Sequence, residues 1–222
     1  MSAIYSLVCR DEICILTDRA IYNVESHVLA SIEAKVWASP TLPLAVALVG
    51  DNRFAHGCSI IAQAQSVDLA FSIIRREVET LRSVLATEGS IQPAAVLVAG
   101  YTEAGGFRQV VAHLSAVAAG GLEPWSVTDV DREFSRGPVI PPEAMAALFA
   151  GVQVIDGRVL ARLGGDWFEM LRSAKMQAAG SDEWHHAVGG GVDLTIIGRQ
   201  RARTQRVREW PEDKVGQKIV PA

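Results

Sequence analysis

The chain has 222 residues, 49% of them hydrophobic and 21% charged, with Lys+Arg 21 against Asp+Glu 25 and a formal charge of -4. This apolar content can fill a sizeable core and excludes a disordered chain, while the mild acidity argues against nucleic acid as a partner. Three cysteines are too few for a disulfide scaffold, no apolar run approaches the roughly 18 residues of a membrane helix, and the start, Met1-Ser2-Ala3-Ile4, does not read as a signal peptide; a soluble, cytoplasmic protein is expected.

Ala3–Cys9 and Ile13–Thr17 are short runs of apolar and β-branched residues separated by Arg10-Asp11-Glu12, the pattern of a hairpin with a polar turn. Both runs are nearly continuous rather than alternating, so their sheet is expected to be covered on both faces. Val28 to Val36 reads as a more polar pair and Leu44–Val49 as a further strand, followed by a turn and helix cap at Gly50-Asp51. From Asn52 to Ala86 the apolar spacing turns helical, with a break at Ser66-Val67-Asp68. Strand period returns at Ala94–Tyr101 and Phe107–Ala112. Pro141-Pro142-Glu143 opens a short helix, and Asp166–Ala178 reads as another, with Val152–Leu163 ambiguous between states. Val192–Ile197 and Arg203–Trp210 read as a last strand pair, and residues 211–222 as a polar tail with little to bury.

Blocks of strands alternating with blocks of helices predict an α+β fold with antiparallel sheets between helices, a four-layer αββα sandwich. Residues 1–210 are taken as one domain and 211–222 as a C-terminal tail.

Phosphate-loop, serine-elbow and zincin motifs are absent, and Gly189-Gly190-Gly191 precedes a strand, so no helix N-terminus is available there to hold phosphate. Cys9, Cys14 and Cys58 read as small apolar core residues. His185-His186 lacks two further zinc ligands at any recognisable spacing, so neither metal nor cofactor is implied. The run Arg199, Arg201, Arg203, Arg206, Arg208 reads as a solvated strand edge, with contact to phosphate or an acidic surface as its functional alternative.

The N-terminal block carries more chemistry. Removal of Met1 would leave Ser2 with a free α-amino group of pKa ~7.7–8.0, a general base attached to its own nucleophile. Asp18 lies at the far end of the strand antiparallel to the first and so returns to the neighbourhood of Ser2. Lys35 follows on the next strands. It is the only lysine before Lys175, in a chain where 17 of 21 basic residues are arginine, and lysine, unlike arginine, changes its pKa readily on burial.

Ser2, Thr17-Asp18-Arg19-Ala20, Ala34-Lys35-Val36 and Leu44–Gly50 together resemble the start of a proteasome β-type subunit of bacterial type, a family of N-terminal-nucleophile (Ntn) hydrolases. The likeness runs over roughly the first 65 residues, and Gly189–Ile197 is similar to the family's glycine-led strand. Serine stands where the family usually has threonine, and His185 and Val188 stand in the places of its later aspartate and serine. The resemblance implies Ser2 as nucleophile, Asp18 as orienting carboxylate and Lys35 as activating cation, with Gly50 and Arg19 as candidate oxyanion and substrate contacts. It also implies a peptide or small amide substrate and a homo-oligomer. The alternative is a catalytically silent scaffold or partner-binding subunit of the same fold.

Overall fold

The near-continuous apolar runs become strands buried on both faces. A computed structural model describes residues 3–23, 25–85, 93–115, 122–177 and 182–221. In chain order the elements are β1 (Ile4–Val8), β2 (Ile13–Asp18), β3 (Ala20–Tyr22), β4 (Leu29–Ile32), β5 (Val36–Ala38) and β6 (Leu44–Val49), then α1 (Ala55–Ile61) and α2 (Val67–Leu85). There follow β7 (Ala94–Tyr101), β8 (Phe107–Leu114), β9 (Ser126–Asp129), β10 (Glu133–Arg136), α3 (Pro142–Leu148) and α4 (Gly157–Ser173). The chain closes with β11 (Lys175–Gln177), β12 (Trp184–His186), β13 (Val192–Ile197) and β14 (Ala202–Arg208). One five-stranded sheet has the order β10-β1-β2-β13-β14 and the other β5-β6-β7-β8-β9, with β3-β4 and β11-β12 as small separate pairs. The described pairings are antiparallel, so the fold is mixed helix and antiparallel sheet, with four α-helices among the described residues.

Side-chain parity explains the burial. Along β6, Leu44, Val46 and Leu48 pack with α1 and α2, while Ala45, Ala47 and Val49 turn to the opposite side. There they meet Ile13 and Ile15 of β2, whose alternate residues Cys14 and Leu16 pack with Leu160, Trp167 and Phe168 of α4. Each central strand thus serves two cores, which is why its sequence does not alternate with polar residues. Where the sheets meet, Ala45, Ala47, Ala95 and Ala99 of one, together with Val49, Leu97 and Val111, face Ile4, Ile13 and Ile15 of the other.

The expected helical stretch from Asn52 divides in two, but the break spans residues 62–66, so Val67 and Asp68, expected within it, open α2. Asp51 caps a 3-10 turn at Asn52–Phe54 through Arg53 N, and Ser66 Oγ accepts from Leu69 N at 3.1 Å to open α2. Ala86 and Ala178, where two helices were expected to end, lie outside the described residues, but the second helix already ends at Ser173, and Lys175–Gln177 is strand β11 rather than helix. The ambiguous stretch resolves because α4 begins at Gly157 rather than Asp166, with Asp156 as N-cap accepting from Arg158 N and Val159 N. Glycines at 164 and 165 weaken the helical signal in sequence. In space a Cβ at Gly164 would lie 3.0 Å from Leu16 Cδ1, and one at Gly165 3.3 Å from the Val207 carbonyl, so they let α4 lie close on its sheet. After Trp210 the chain is also more committed than its polarity implies: Trp210, Asp213 and Ile219 are buried, Gly216 N donates to Leu29 O, and Leu29 N donates to Gln217 O.

Candidate functional site

The β1–β2 hairpin determines where Asp18 falls. Its register pairs Ile4 with Thr17, so Asp18, the last residue of β2, lies beside Ala3. Asp18 N donates to Ala3 O at 3.3 Å, and Ala3 N donates to Asp18 Oδ1 at 2.9 Å. Lys35 comes from the other sheet. It immediately precedes β5, and its carbonyl accepts from Leu48 N at 3.0 Å. Its Nζ donates to Asp18 Oδ1 at 2.8 Å. The second oxygen of Asp18 accepts from Ala20 N at 3.1 Å and Gly189 N at 3.4 Å. The carboxylate is fully buried and its lysine nearly so. Four donors compensate for the loss of water around it, and they fix its orientation.

The two resemblance-derived residues Asp18 and Lys35 are therefore brought together. Ser2 lies outside the described residues. Arg19 turns away from the pair: its Nε lies 3.8 Å from Asp193 Oδ2, its N donates to Gly189 O, and its O accepts from Glu33 N. Gly50 follows β6 with φ +102, and a Cβ there would lie 2.1 Å from the Pro93 carbonyl just before β7, so only glycine fits this turn.

Burial sets the protonation of this region. Desolvation pulls Lys35 below the ordinary lysine value against the opposing attraction of Asp18. Tyr22 is held well above the ordinary phenol value by burial, with a further push from Asp18, and its hydroxyl has no hydrogen-bond partner among the described residues. His185 is lowered by burial and by the neighbouring His27. These two imidazoles stack with centroids 4.1 Å apart, and Tyr22 meets His185 edge-on at 5.5 Å. Tyr22, His27 and His185 were not assigned to the site from sequence. His185 stood out only as the counterpart of a family aspartate and as half of a His-His pair. The pair does not converge, since His186 Nδ1 lies 2.9 Å from the Arg172 carbonyl instead.

Three arginines of the run are paired within the chain. Arg199 pairs with Asp11 at 2.8 Å, Arg206 with Asp193 and Glu209, and Arg208 with Glu169 at 2.8 Å. A bulge opposite Val192–Asp193 pairs Val192 with Arg208 but Asp193 with Arg206. It turns Arg208 to the α4 side, whereas Arg206 stays on the Asp193 side.

No protein-family model matches the sequence, and no curated protein does. Solved structures do match. Anbu (ancestral beta-subunit) from Yersinia bercovieri superposes with a TM-score of 0.62 at 12% identity, covering 95% of this chain and 88% of that one. The Anbu (Gly-1) mutant from Hyphomicrobium sp. strain MC1 gives 0.63 at 12% identity, with 96% and 89% covered. These matches correct the expectation of a proteasome β-type subunit: the structural likeness is to Anbu, which is proteasome-like but distinct. At this identity the likeness establishes a proteasome-like fold and nothing finer. No helix among the described residues is long and apolar enough to cross a membrane.

Proposed function

We propose that the chain is an N-terminal-nucleophile hydrolase of peptide or small amide bonds, acting through Ser2 once Met1 is removed, on a fold whose packing reads as a four-layer αββα sandwich. The observation that carries this reading is the double use of Asp18 Oδ1, which accepts from Lys35 Nζ at 2.8 Å and from the Ala3 backbone nitrogen at 2.9 Å. That nitrogen belongs to the peptide bond joining Ser2 to Ala3. The buried ion pair therefore lies one peptide unit from the proposed nucleophile.

In the proposed reaction the Ser2 hydroxyl attacks the substrate carbonyl carbon and its proton passes to the Ser2 α-amino group. The tetrahedral species collapses by breaking the C–N bond, and the ammonium returns the proton to the departing amine. Water then attacks the acyl-Ser2 ester. Its proton goes to the same amine, and the ester oxygen is reprotonated as Ser2 is released. Lys35, held in position by Asp18, is the proposed activating cation for this hydroxyl. Gly50 is the proposed source of a backbone N–H for the developing oxyanion.

Intact-mass and peptide mapping after incubation with a hydroxyl-directed acylating inhibitor tests the reading. The expected result is a mature N-terminus at Ser2 with one adduct on that residue, and no adduct in Ser2→Ala. Retained Met1 with no adduct would instead identify a catalytically silent protein of this fold.

A further inference from the structure

The turn end of the first hairpin, far from Asp18, holds a second cluster of reactive side chains. Cys9, Glu12 and Cys14 place a sulfur, a carboxylate oxygen and a sulfur all within 4.8 Å of one another. The hairpin itself produces this arrangement. Cys9 N donates to Glu12 O at 2.8 Å across the turn, and Leu7 pairs with Cys14, so Cys9 and Cys14 project from the same face two registers apart. Cys14 lies four residues before Asp18 along β2, about 13 Å at the rise of a strand.

We propose that Cys9, Glu12 and Cys14 form a binding site for one borderline-soft divalent cation of the zinc or cadmium class. Two thiolates and a carboxylate are the donors such ions prefer. At a metal–sulfur distance near 2.3 Å, tetrahedral geometry separates two sulfurs by roughly 3.8 Å, within the reach of this cluster. A disulfide suits the geometry less well. Diagonal partners on an antiparallel pair stand roughly 7–8 Å apart at Cα, beyond the usual 4.4–6.8 Å of a bridged pair.

The surroundings support a built site. Glu12 Oε1 accepts from Gly157 N, the first residue of α4, at 2.6 Å, a contact that holds the carboxylate in place as supporting hydrogen bonds do at metal centres. Cys14 Sγ lies 3.7 Å from the same oxygen, and Cys9 Sγ lies 3.5 Å from the Ile155 carbonyl. Cys14 is buried, while Cys9 and Glu12 line a cavity of about 540 Å³ through which water can reach the cluster. The charged groups around that cavity are of both signs: Arg10, Arg158 and Arg203 against Asp11 and Asp156. Binding exchanges the two thiol protons for the ion, so two protons are released per cation and the site carries one net negative charge.

The test titrates the reduced full-length protein with cadmium and follows thiolate-to-cadmium charge-transfer absorption. One equivalent is expected to bind and to shield two thiols from a thiol reagent, with zinc competing. Cys9→Ser and Glu12→Gln should each weaken binding at least as much as the roughly 10–100-fold lost with a supporting residue at characterised sites, with Cys58→Ser unchanged. Cys9 is only half-buried, so its serine variant keeps the test independent of folding, which circular dichroism verifies. The proposal is overturned by the absence of a stoichiometric charge-transfer band. Wild-type affinity in Cys9→Ser, or a Cys9–Cys14 disulfide persisting under reductant, overturns it equally.

Discussion

Asp18 and Lys35 stand or fall together. Removing two charges from water costs several kcal/mol per ion, and a buried pair offsets this only when each member finds further partners. Asp18 has three backbone N–H donors besides Lys35. Replacing Lys35 by Met leaves those donors but strips the carboxylate of its counter-charge. Loss of one member of a buried pair costs about 3–5 kcal/mol, and the remaining donors place this case at about 3 kcal/mol. Urea denaturation of Lys35→Met should show that loss as a lower midpoint with little change in slope. A change below about 1 kcal/mol, the size of an exposed pair, would mean the pair is solvated. The chemical identity of both residues was legible in sequence, from a strand-end aspartate and one isolated lysine. Tyr22, His27 and His185 were not, because their proximity joins the β3–β4 hairpin to β12, far away in sequence.

At the scale of elements, the segment after β14 braces the site. Arg172, fully buried near the end of α4, grips Asp213 with Nη1 to Oδ2 at 2.7 Å and Nη2 to Oδ1 at 2.8 Å. The same Oδ2 accepts from Gly190 N at 2.7 Å, and the adjacent Gly189 N reaches Asp18. A continuous set of contacts thus runs from α4 through the tail and the glycine loop to the candidate site. Asp213→Ala removes the bidentate partner of a buried guanidinium, and a loss of about 3–5 kcal/mol is expected in chemical denaturation. Acylation of Ser2 should slow in the same variant even where it is fully folded, measured as the rate of adduct formation. An unchanged rate would show that the glycine loop holds Asp18 without the tail. Polarity hid this role from the sequence, since a carboxylate in a polar tail has no visible partner until Arg172 is placed opposite it.

For the whole molecule, the interface between the two sheets decides stability. Ile15 is fully buried there, with Ala45, Ala47, Ala95, Ala99 and Leu97 in the same cluster. The facing alanines cannot extend into a void. Ile15→Ala should therefore leave a cavity and cost about 2–5 kcal/mol, with both sheets still unfolding in one transition. Coincident curves from tryptophan fluorescence and far-ultraviolet circular dichroism test this. Separate transitions would show that each sheet with its helices is stable alone.

Strand and helix periods alone determined the central β1, β2, β6, β7, β8 and β13 and the break between α1 and α2, because each depends on side-chain spacing within a few residues. Composition likewise fixed the presence of a large core. Four features were left to tertiary structure. The start of α4 was masked by glycines needed for close packing against Leu16 and Val207. The partners of the arginine run and the burial of Asp213 depend on elements distant in sequence, and the meeting of Cys9 with Glu12 and Cys14 on the register of one hairpin. The proteasome-like fold could be read from local signals, but its likeness to Anbu emerged only on superposition, since a fold is carried by the spatial arrangement of its elements when 12% of residues match.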